Sequence, residues 1–260
     1  MSQVVENFKK YRYLLLELVK KDIKLKYRNS VLGILWTLLE PLLTMIVLTV
    51  VFSTLFDRAI EHFPVYVLIG RLMYNYFSGG TRSALKAVRN NSAMMRKVYV
   101  PKYIYPLASS LSSFVIFLIS LLVLAAVTAV MKIQPTHYLL GAIVPLIALF
   151  LMTTGVGLIL ATLDVFFRDT EYLWGVILMI IMYVSAIFYP ADRLLMSGDW
   201  KQWLIKLNPL YAVIANFRNA VFGQPLDPFF VWFSLGFGVS ALIIGVLVFY
   251  RKQDKFILHI

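Results

Sequence analysis

Runs of about 20 apolar residues recur from end to end of this 260-residue chain. A helical run of that length matches the roughly 30 Å hydrocarbon core of a bilayer. Five such runs are clear, at residues 31–56, 65–85, 104–131, 139–163 and 229–250; a sixth, 172–188, is shorter but carries no charge. Composition agrees: 60% of the chain is hydrophobic and only 15% charged, against about a quarter charged in soluble domains. The expected fold is an all-α integral membrane protein with six transmembrane helices. Residues 189–228 hold Trp200, Trp203, Leu204, Ile205, Leu207 and Leu210 among polar residues and prolines. That stretch is too broken to span, and an outer re-entrant helical hairpin before the last span is expected.

The cations orient these spans, because Lys and Arg collect in cytoplasmic loops. With the N-terminus inside, eighteen of the 25 basic residues fall on the cytoplasmic side and six outside, with Arg71 left in the membrane. Both termini are therefore expected in the cytoplasm. The predicted divisions are a cytoplasmic amphipathic interface helix (1–30), a six-span domain (31–250) and a basic cytoplasmic tail (251–260). In the first of these, Val4, Phe8, Tyr11, Leu15, Leu18, Val19, Ile23 and Tyr27 recur at helical spacing, with most lysines off that stripe. The stripe suits the acyl boundary of the inner leaflet, where the lysines meet anionic lipid. The net charge of +12 is read as topology, so no nucleic-acid partner is expected. The first thirty residues carry eight basic side chains and lack the pattern of a cleaved signal peptide.

Several chemistries find no support. There is no G-x-x-x-x-G-K-[ST], so no nucleotide site or other cofactor is expected on this chain. With no cysteine, no H-E-x-x-H and three scattered histidines (His62, His137, His259), no metal site is expected. No G-x-S-x-G elbow occurs. A membrane-bound glycosyltransferase or acyltransferase needs a cluster of carboxylates or histidines; only Asp192, Asp199 and Asp227 gather, without a histidine beside them. No catalytic residue is assigned.

Two charges lie well inside predicted spans, Glu40 and Arg71. An Arg at mid-bilayer costs about 2.5–3.5 kcal/mol on the insertion scale, so each needs a partner, water or a ligand. The simpler expectation is a Glu40–Arg71 pair locking the first two spans; the alternative is that Arg71 lines a conduit and meets a phosphate. Trp36, Tyr74, Tyr76, Tyr183 and Tyr189, within or at the ends of spans, are candidates for a glycan track, since sugar C–H faces stack on aromatic rings. In the loop 89–103, Arg89, Asn91, Arg96, Lys97, Tyr99 and Pro101 accompany Met94, Met95, Val98 and Val100, a pattern suited to docking on another protein. Phe167, Arg168 and Asp169 form a second, smaller cytoplasmic feature, for which an Arg–Asp pair capping the turn is the simpler expectation. Pro41, Pro106 and Pro145 are expected to kink or begin spans.

The segment Tyr27-Arg28-Asn29-Ser30-Val31-Leu32-Gly33-Ile34-Leu35-Trp36, followed by Leu39-Glu40-Pro41-Leu42, resembles the opening of ABC-2 type permeases that export O-antigen, capsular polysaccharide and teichoic acid. The likeness continues in Met95-Arg96-Lys97-Val98-Tyr99-Val100-Pro101, Asp164-Val165-Phe166-Phe167-Arg168-Asp169, Ala186-Ile187-Phe188-Tyr189-Pro190 and Asn208-Pro209-Leu210-Tyr211. These blocks occur in family order over nearly the whole chain. The resemblance implies a multi-pass permease of a bacterial cytoplasmic membrane, working as a homodimer on two copies of a separate ABC ATPase that binds ATP and Mg. Its cargo would be a lipid-linked polysaccharide or a polyol-phosphate polymer moved outward. The coupling helix would lie in residues 89–103, and the outer side would carry a re-entrant pair of short helices. Export of drugs or small lipids is the alternative within the family. One departure is Gly70-Arg71-Leu72, where the family usually has an apolar residue after the glycine.

Overall fold

The computed structural model describes residues 2–56, 62–95, 97, 100–191 and 201–258. Every element among them is helical. The order is α1 (Ser2–Tyr27), α2 (Trp36–Phe56), α3 (Phe63–Asn90), the short α4 (Ser92–Met95), α5 (Ile104–Val130), α6 (Ile143–Phe166), α7 (Thr170–Val184), α8 (Lys201–Lys206), α9 (Pro209–Val221) and α10 (Pro228–Lys252). Short pieces of 3₁₀ helix precede α2 and α6 and follow α10.

Four stretches are long and apolar enough to cross a membrane: Gly33–Phe52, Ile104–Val130, His137–Phe166 and Pro228–Phe256; Thr170–Val184 is apolar but shorter. The chain is thus a multi-pass membrane protein. The predicted second span differs from the other long helices. Helix α3 runs for 28 residues, yet Arg71, Asn75, Ser78, Arg82, Ser83 and Lys86 interrupt its apolar character. It is instead the hub of the bundle, packed against α2, α5, α6, α7 and α9.

The tightest pairing is α6 with α10. A Cβ added to Gly155 would overlap the backbone of Ala241 and Leu242, and one on Gly245 would sit 2.5 Å from the Gly155 carbonyl oxygen. In lipid the hydrophobic effect cannot drive helix association, so contact depends on backbones approaching over small residues. Gly155, Gly238, Ala241 and Gly245 provide that contact surface.

Helix α1 departs from the expectation of a lipid-facing stripe. Leu15, Leu18 and Val19 are buried against Ala87 of α3 and Ile104, Tyr105 and Ala108 of α5, with Tyr11, Leu14 and Ile23 packed beside them. The apolar residues at helical spacing dock on protein because the start of α5 offers a matching apolar face. The chain's last segment also differs from a solvated tail. Phe256 is fully buried against Phe166 and Phe249, at ring distances of 5.9 and 5.1 Å, and Lys102 donates to the Gln253 carbonyl at 2.6 Å.

At the opposite end, α9 is fixed by its caps. Asn208 Oδ1 accepts from the Leu210 and Tyr211 amides while its Nδ2 donates to Ser185 Oγ at 2.9 Å. With Pro209 in the first turn, whose missing N–H no helix start would use, this explains the Asn-Pro-Leu-Tyr block. Asp227 caps α10 in the same manner and its amide donates to Asn216 Oδ1 at 2.8 Å. Between α7 and α8, Ala186 adopts φ +46°, a region that non-glycine residues seldom enter. Its carbonyl is held by Tyr66 Oη at 3.2 Å and Arg218 Nη1 at 3.1 Å. Arg218 is buried, lies 3.3 Å from the Tyr66 ring centroid, and donates also to the Tyr66 and Ile187 carbonyls. Gly70 makes room for it, since a Cβ there would lie 2.8 Å from Arg218 Nη2. Arg218, which the charge distribution places among the six outer cations, is therefore an internal clamp.

Candidate functional site: a polar cavity against helix α3

A cavity of about 860 Å³ opens between the C-terminal half of α1, the start of α2, α3 and α5. Its walls are mixed: Leu25, Pro41, Leu72, Ile116 and Phe117 line it beside a set of polar and charged side chains. Helix α3 contributes Asn75, Ser78, Arg82, Ser83 and Lys86, and α5 contributes Ser109, Ser112, Ser113 and Ser120. Lys21, Asp22, Lys26 and Glu40 come from α1 and α2. The positions on each helix follow the 3.6-residue period, so each helix turns one polar edge to the same space.

Several of these groups are anchored. Ser109 Oγ donates to Asp22 Oδ2 at 3.1 Å, tying α1 to α5. Burial pushes the Asp22 carboxyl above its ordinary range, opposed by that hydrogen bond and by Lys21. Ser120 Oγ donates to the Thr37 carbonyl at 3.1 Å. Lys21 Nζ donates to Asn91 Oδ1 at 3.0 Å, and Asn91 Nδ2 caps α3 through the Ala87 carbonyl at 2.8 Å.

Beside the cavity, the α3 terminus meets α6 and α7 in an ion network. Arg89 Nη2 pairs with Glu171 Oε2 at 2.8 Å, Lys86 pairs with the other Glu171 oxygen, and Arg89 Nη1 lies 3.6 Å from Asp164 Oδ1. The Asp164 side chain is wholly enclosed and accepts no hydrogen bond, so Arg89 is its only counter-charge within that reach among the described residues. The sequence reading missed Asp164, Glu171 and Lys86. The available signal was a carboxylate at the end of one predicted span and the start of the next, Asp164 and Glu171, with Lys86 and Arg89 at the end of another.

The predicted site residues fare differently. Glu40 and Arg71 form no ion pair: Glu40 is exposed at the cavity wall, while Arg71 Nη1 reaches only Met182 Sδ at 3.8 Å. Glu40 is near enough to act on Arg71 through space but does not make contact with it. Phe167, Arg168 and Asp169 form a turn, but no Arg168–Asp169 pair caps it. The Thr170 hydroxyl and amide bond the Phe167 carbonyl instead, at 2.6 and 3.1 Å. Of the loop 89–103, Arg89 is in the ion network and Asn91 ends α3. Lys97 and Pro101 lie in the connection to α5. Arg96, Val98 and Tyr99 lie outside the described residues.

Of the five aromatics expected for a glycan track, Tyr76 alone lines the cavity, its ring stacked on Phe117 at 5.0 Å. Tyr74 is buried, donating to the Leu178 carbonyl at 3.0 Å, and Tyr189 donates to the Tyr183 carbonyl at 2.7 Å. Trp36 and Tyr183 stand exposed on α2 and α7. Pro106 and Pro145 each fall in the first turn of a helix, whereas Pro41 lies inside α2.

The profile of the ABC-2 type transporter family matches residues 13–222. The chain is 26% identical over 245 residues to the O-antigen export system permease protein RfbA of Klebsiella pneumoniae, covering 94% of this chain and 93% of that one. It is 28% identical over 219 residues to RfbA of Myxococcus xanthus, covering 84% of each chain. It is 24% identical over 241 residues to the polysialic acid transport protein KpsM of Escherichia coli, covering 90% and 91%. The matched segment takes in the end of α1, the polar cavity, the ion network at Arg89 and the Arg218 clamp. By this match, which spans most of its length, the chain belongs to the ABC-2 type transporter family.

Proposed function

We propose that this chain is the permease subunit of an ATP-driven exporter that moves a lipid-linked polysaccharide, or a teichoic-acid-type polymer, outward across a bacterial cytoplasmic membrane. The observation that carries the reading is the polar cavity against α3. Ionisable side chains gathered on one cavity of a membrane bundle mark an ion or substrate path by default. The relatives' names as O-antigen and polysialic acid exporters favour a glycan over a drug or small lipid.

In this reading the protein works as a homodimer with six spans per subunit and both ends in the cytoplasm. Helix α3 is the second span and α7 the fifth. The apolar faces left open on α2 (Leu43, Val47, Val50) and α7 (Leu173, Val176, Ile180) meet lipid and the second copy. Residues 189–228, with α8 and α9, form the outer re-entrant hairpin. Residues 89–103 and the Phe167–Asp169 turn dock on a separate cytoplasmic ABC ATPase, where ATP and Mg bind.

The ion network is the route by which that docking reaches the bundle. ATPase closure biases the permease only by interacting differently with its two arrangements. Arg89 sits at the root of the docking loop and holds both α6, through Asp164, and α7, through Glu171, so displacement of the loop is felt by two membrane helices together. The test is reconstitution of the permease with its partner ABC ATPase in vesicles containing a polyprenyl-diphosphate-linked glycan. ATP-dependent passage of glycan to the far leaflet is expected. A complex that hydrolyses ATP yet moves no glycan of any kind would overturn the assignment.

A further inference from the structure

The hub helix α3 is enclosed on almost every side, and its one open edge is entirely polar. Seventeen of its residues are buried. The less buried positions along its middle and C-terminal half include Arg71, Asn75, Ser78, Arg82, Ser83 and Lys86, which recur at helical spacing. At about 1.5 Å per residue that edge runs roughly 22 Å, most of the depth of a hydrocarbon core about 30 Å thick.

Three cations mark the edge, and only one is neutralised. Lys86 is paired with Glu171. Neither Arg71 nor Arg82 forms an ion pair among the described residues. Arg71 has only a thioether contact, to Met182, and its Nε is buried without a hydrogen-bond partner. Arg82 lines the cavity, and Arg71 lies one turn beyond the cavity residue Asn75. The eleven-residue interval places the two guanidiniums about 16 Å apart along one helix edge. The facing wall on α5 carries Ser109, Ser112, Ser113 and Ser120, whose hydroxyl protons go to Asp22 and to backbone carbonyls, so it adds no charge and the arginines are left as the groups that can meet an anion.

An ionisable side chain at membrane depth, as Arg71 is, is costly and marks an ion or substrate pathway, and Arg82 stands exposed at the cytoplasmic end of the same edge. Guanidinium is also the side chain whose fork matches phosphate and carboxylate oxygens. We propose that Arg71 and Arg82 form a two-step anion ladder along α3, over which phosphate or carboxylate groups of the cargo pass from the cavity toward the far side. This rests on the permease reading above and narrows it: the transported molecule carries anionic groups that meet α3. Those groups come either from the diphosphate of the lipid carrier or from charges repeated along the polymer.

The test uses the permease–ATPase complex in vesicles with two cargoes on the same polyprenyl diphosphate, a neutral oligosaccharide and a glycerol-phosphate oligomer. Farnesyl diphosphate serves as a separate binding probe. In the double variant Arg71→Met, Arg82→Met, loss of charge-assisted bonds should lower affinity or rate about tenfold or more. If the carrier supplies the anion, farnesyl diphosphate binding weakens and both cargoes slow. If the polymer supplies it, that binding is unchanged and only the glycerol-phosphate cargo slows. Arg71→Lys with Arg82→Lys retains charge and should retain most of either activity.

A second measurement needs no variant: modification of Arg71 and Arg82 in the native complex by phenylglyoxal, read by peptide mass spectrometry. Protection of both arginines by farnesyl diphosphate or by the glycerol-phosphate cargo is expected. Wild-type behaviour of the double Met variant toward all three ligands overturns the ladder while leaving the permease reading intact, as does modification that neither anionic ligand slows. Failure of the wild-type complex to move either cargo counts against the permease reading instead.

Discussion

Ser120 of α5 donates its hydroxyl to the Thr37 carbonyl of α2 at 3.1 Å, and that carbonyl is the one Pro41 leaves without its helical donor. Proline has no N–H to offer the residue four positions back, so α2 carries a free acceptor one turn into the bundle. A neighbouring helix fills it, with the same hydroxyl shared by its own Ile116 carbonyl at 3.0 Å. Ser120→Ala should destabilise the protein by about 1 kcal/mol. The loss should shrink in a Pro41→Ala background, where the new backbone N–H at that position supplies the missing donor. Unfolding of the four proteins in detergent measures the coupling; strictly additive effects would refute the relationship.

The network at Arg89 makes a sharper demand. Removing the counter-charge from an enclosed carboxylate typically costs about 3–5 kcal/mol, so Arg89→Ala should unfold or severely weaken the bundle through Asp164. Asp164→Asn in the same chain should recover much of that loss, because the amide needs no counter-ion. Thermal unfolding decides the point: a double variant no more stable than Arg89→Ala removes Asp164 from the explanation.

Close approach of α6 and α10 predicts a steric effect with no polar component. Gly155→Ala places a methyl group against the backbone of Ala241 and Leu242, and the overpacking should cost about 1–3 kcal/mol. Gly236→Ala on the same α10, where a Cβ meets nothing within 4 Å, should be tolerated. Comparable melting temperatures for the two variants would show that the helices are not in backbone contact.

Asp22 gives the docking of α1 a pH dependence. Its carboxyl is held above the ordinary value, first by burial. A carboxyl whose folded value is raised is more stably docked when protonated. That contribution is complete below the ordinary value of 3.8 and is lost as pH rises through the raised one. Amide exchange along α1 should therefore quicken as pH is raised through this window, beyond the intrinsic change of exchange with pH. Asp22→Asn, which keeps an acceptor for Ser109, should abolish the excess.

At the other end of the bundle, Arg218→Met preserves bulk but deprives the Ile187 carbonyl of its donor and leaves the Ala186 carbonyl with Tyr66 Oη alone. Buried acceptors left without a donor cost about 1–3 kcal/mol each, offset in part because a buried cation is no longer required. A net loss on the order of 2 kcal/mol is expected, accompanied by increased proteolysis between α7 and α9. A variant that resists protease as well as the parent would show that Arg218 does not hold this connection.

Much of the architecture is legible in the chain. Four of the predicted spans correspond to long apolar helices because burial in lipid demands an unbroken run. The 28-residue α3 escapes that rule, since contacts with five other helices surround it and its polar edge needs only one open side. The helical stripe of α1 is equally visible, but whether it meets lipid or protein depends on the apolar start of α5. Arg71 is conspicuous as a charge in a span, whereas Arg82, Asn75 and the α5 serines become meaningful only as parts of one wall.

From its residues alone, the chain is committed to a helical membrane protein with most of its cations in the segments that flank the apolar runs. Span length and charge distribution are properties of one strand of sequence and need no partner to be read. Which charges meet was settled only by the packing. Glu40 and Arg71 stop short of a contact, Arg89 finds Asp164 and Glu171, and Arg218 closes on three carbonyls. These pairings depend on the rotation of each helix about its own axis, which is set by contacts between segments distant in the chain.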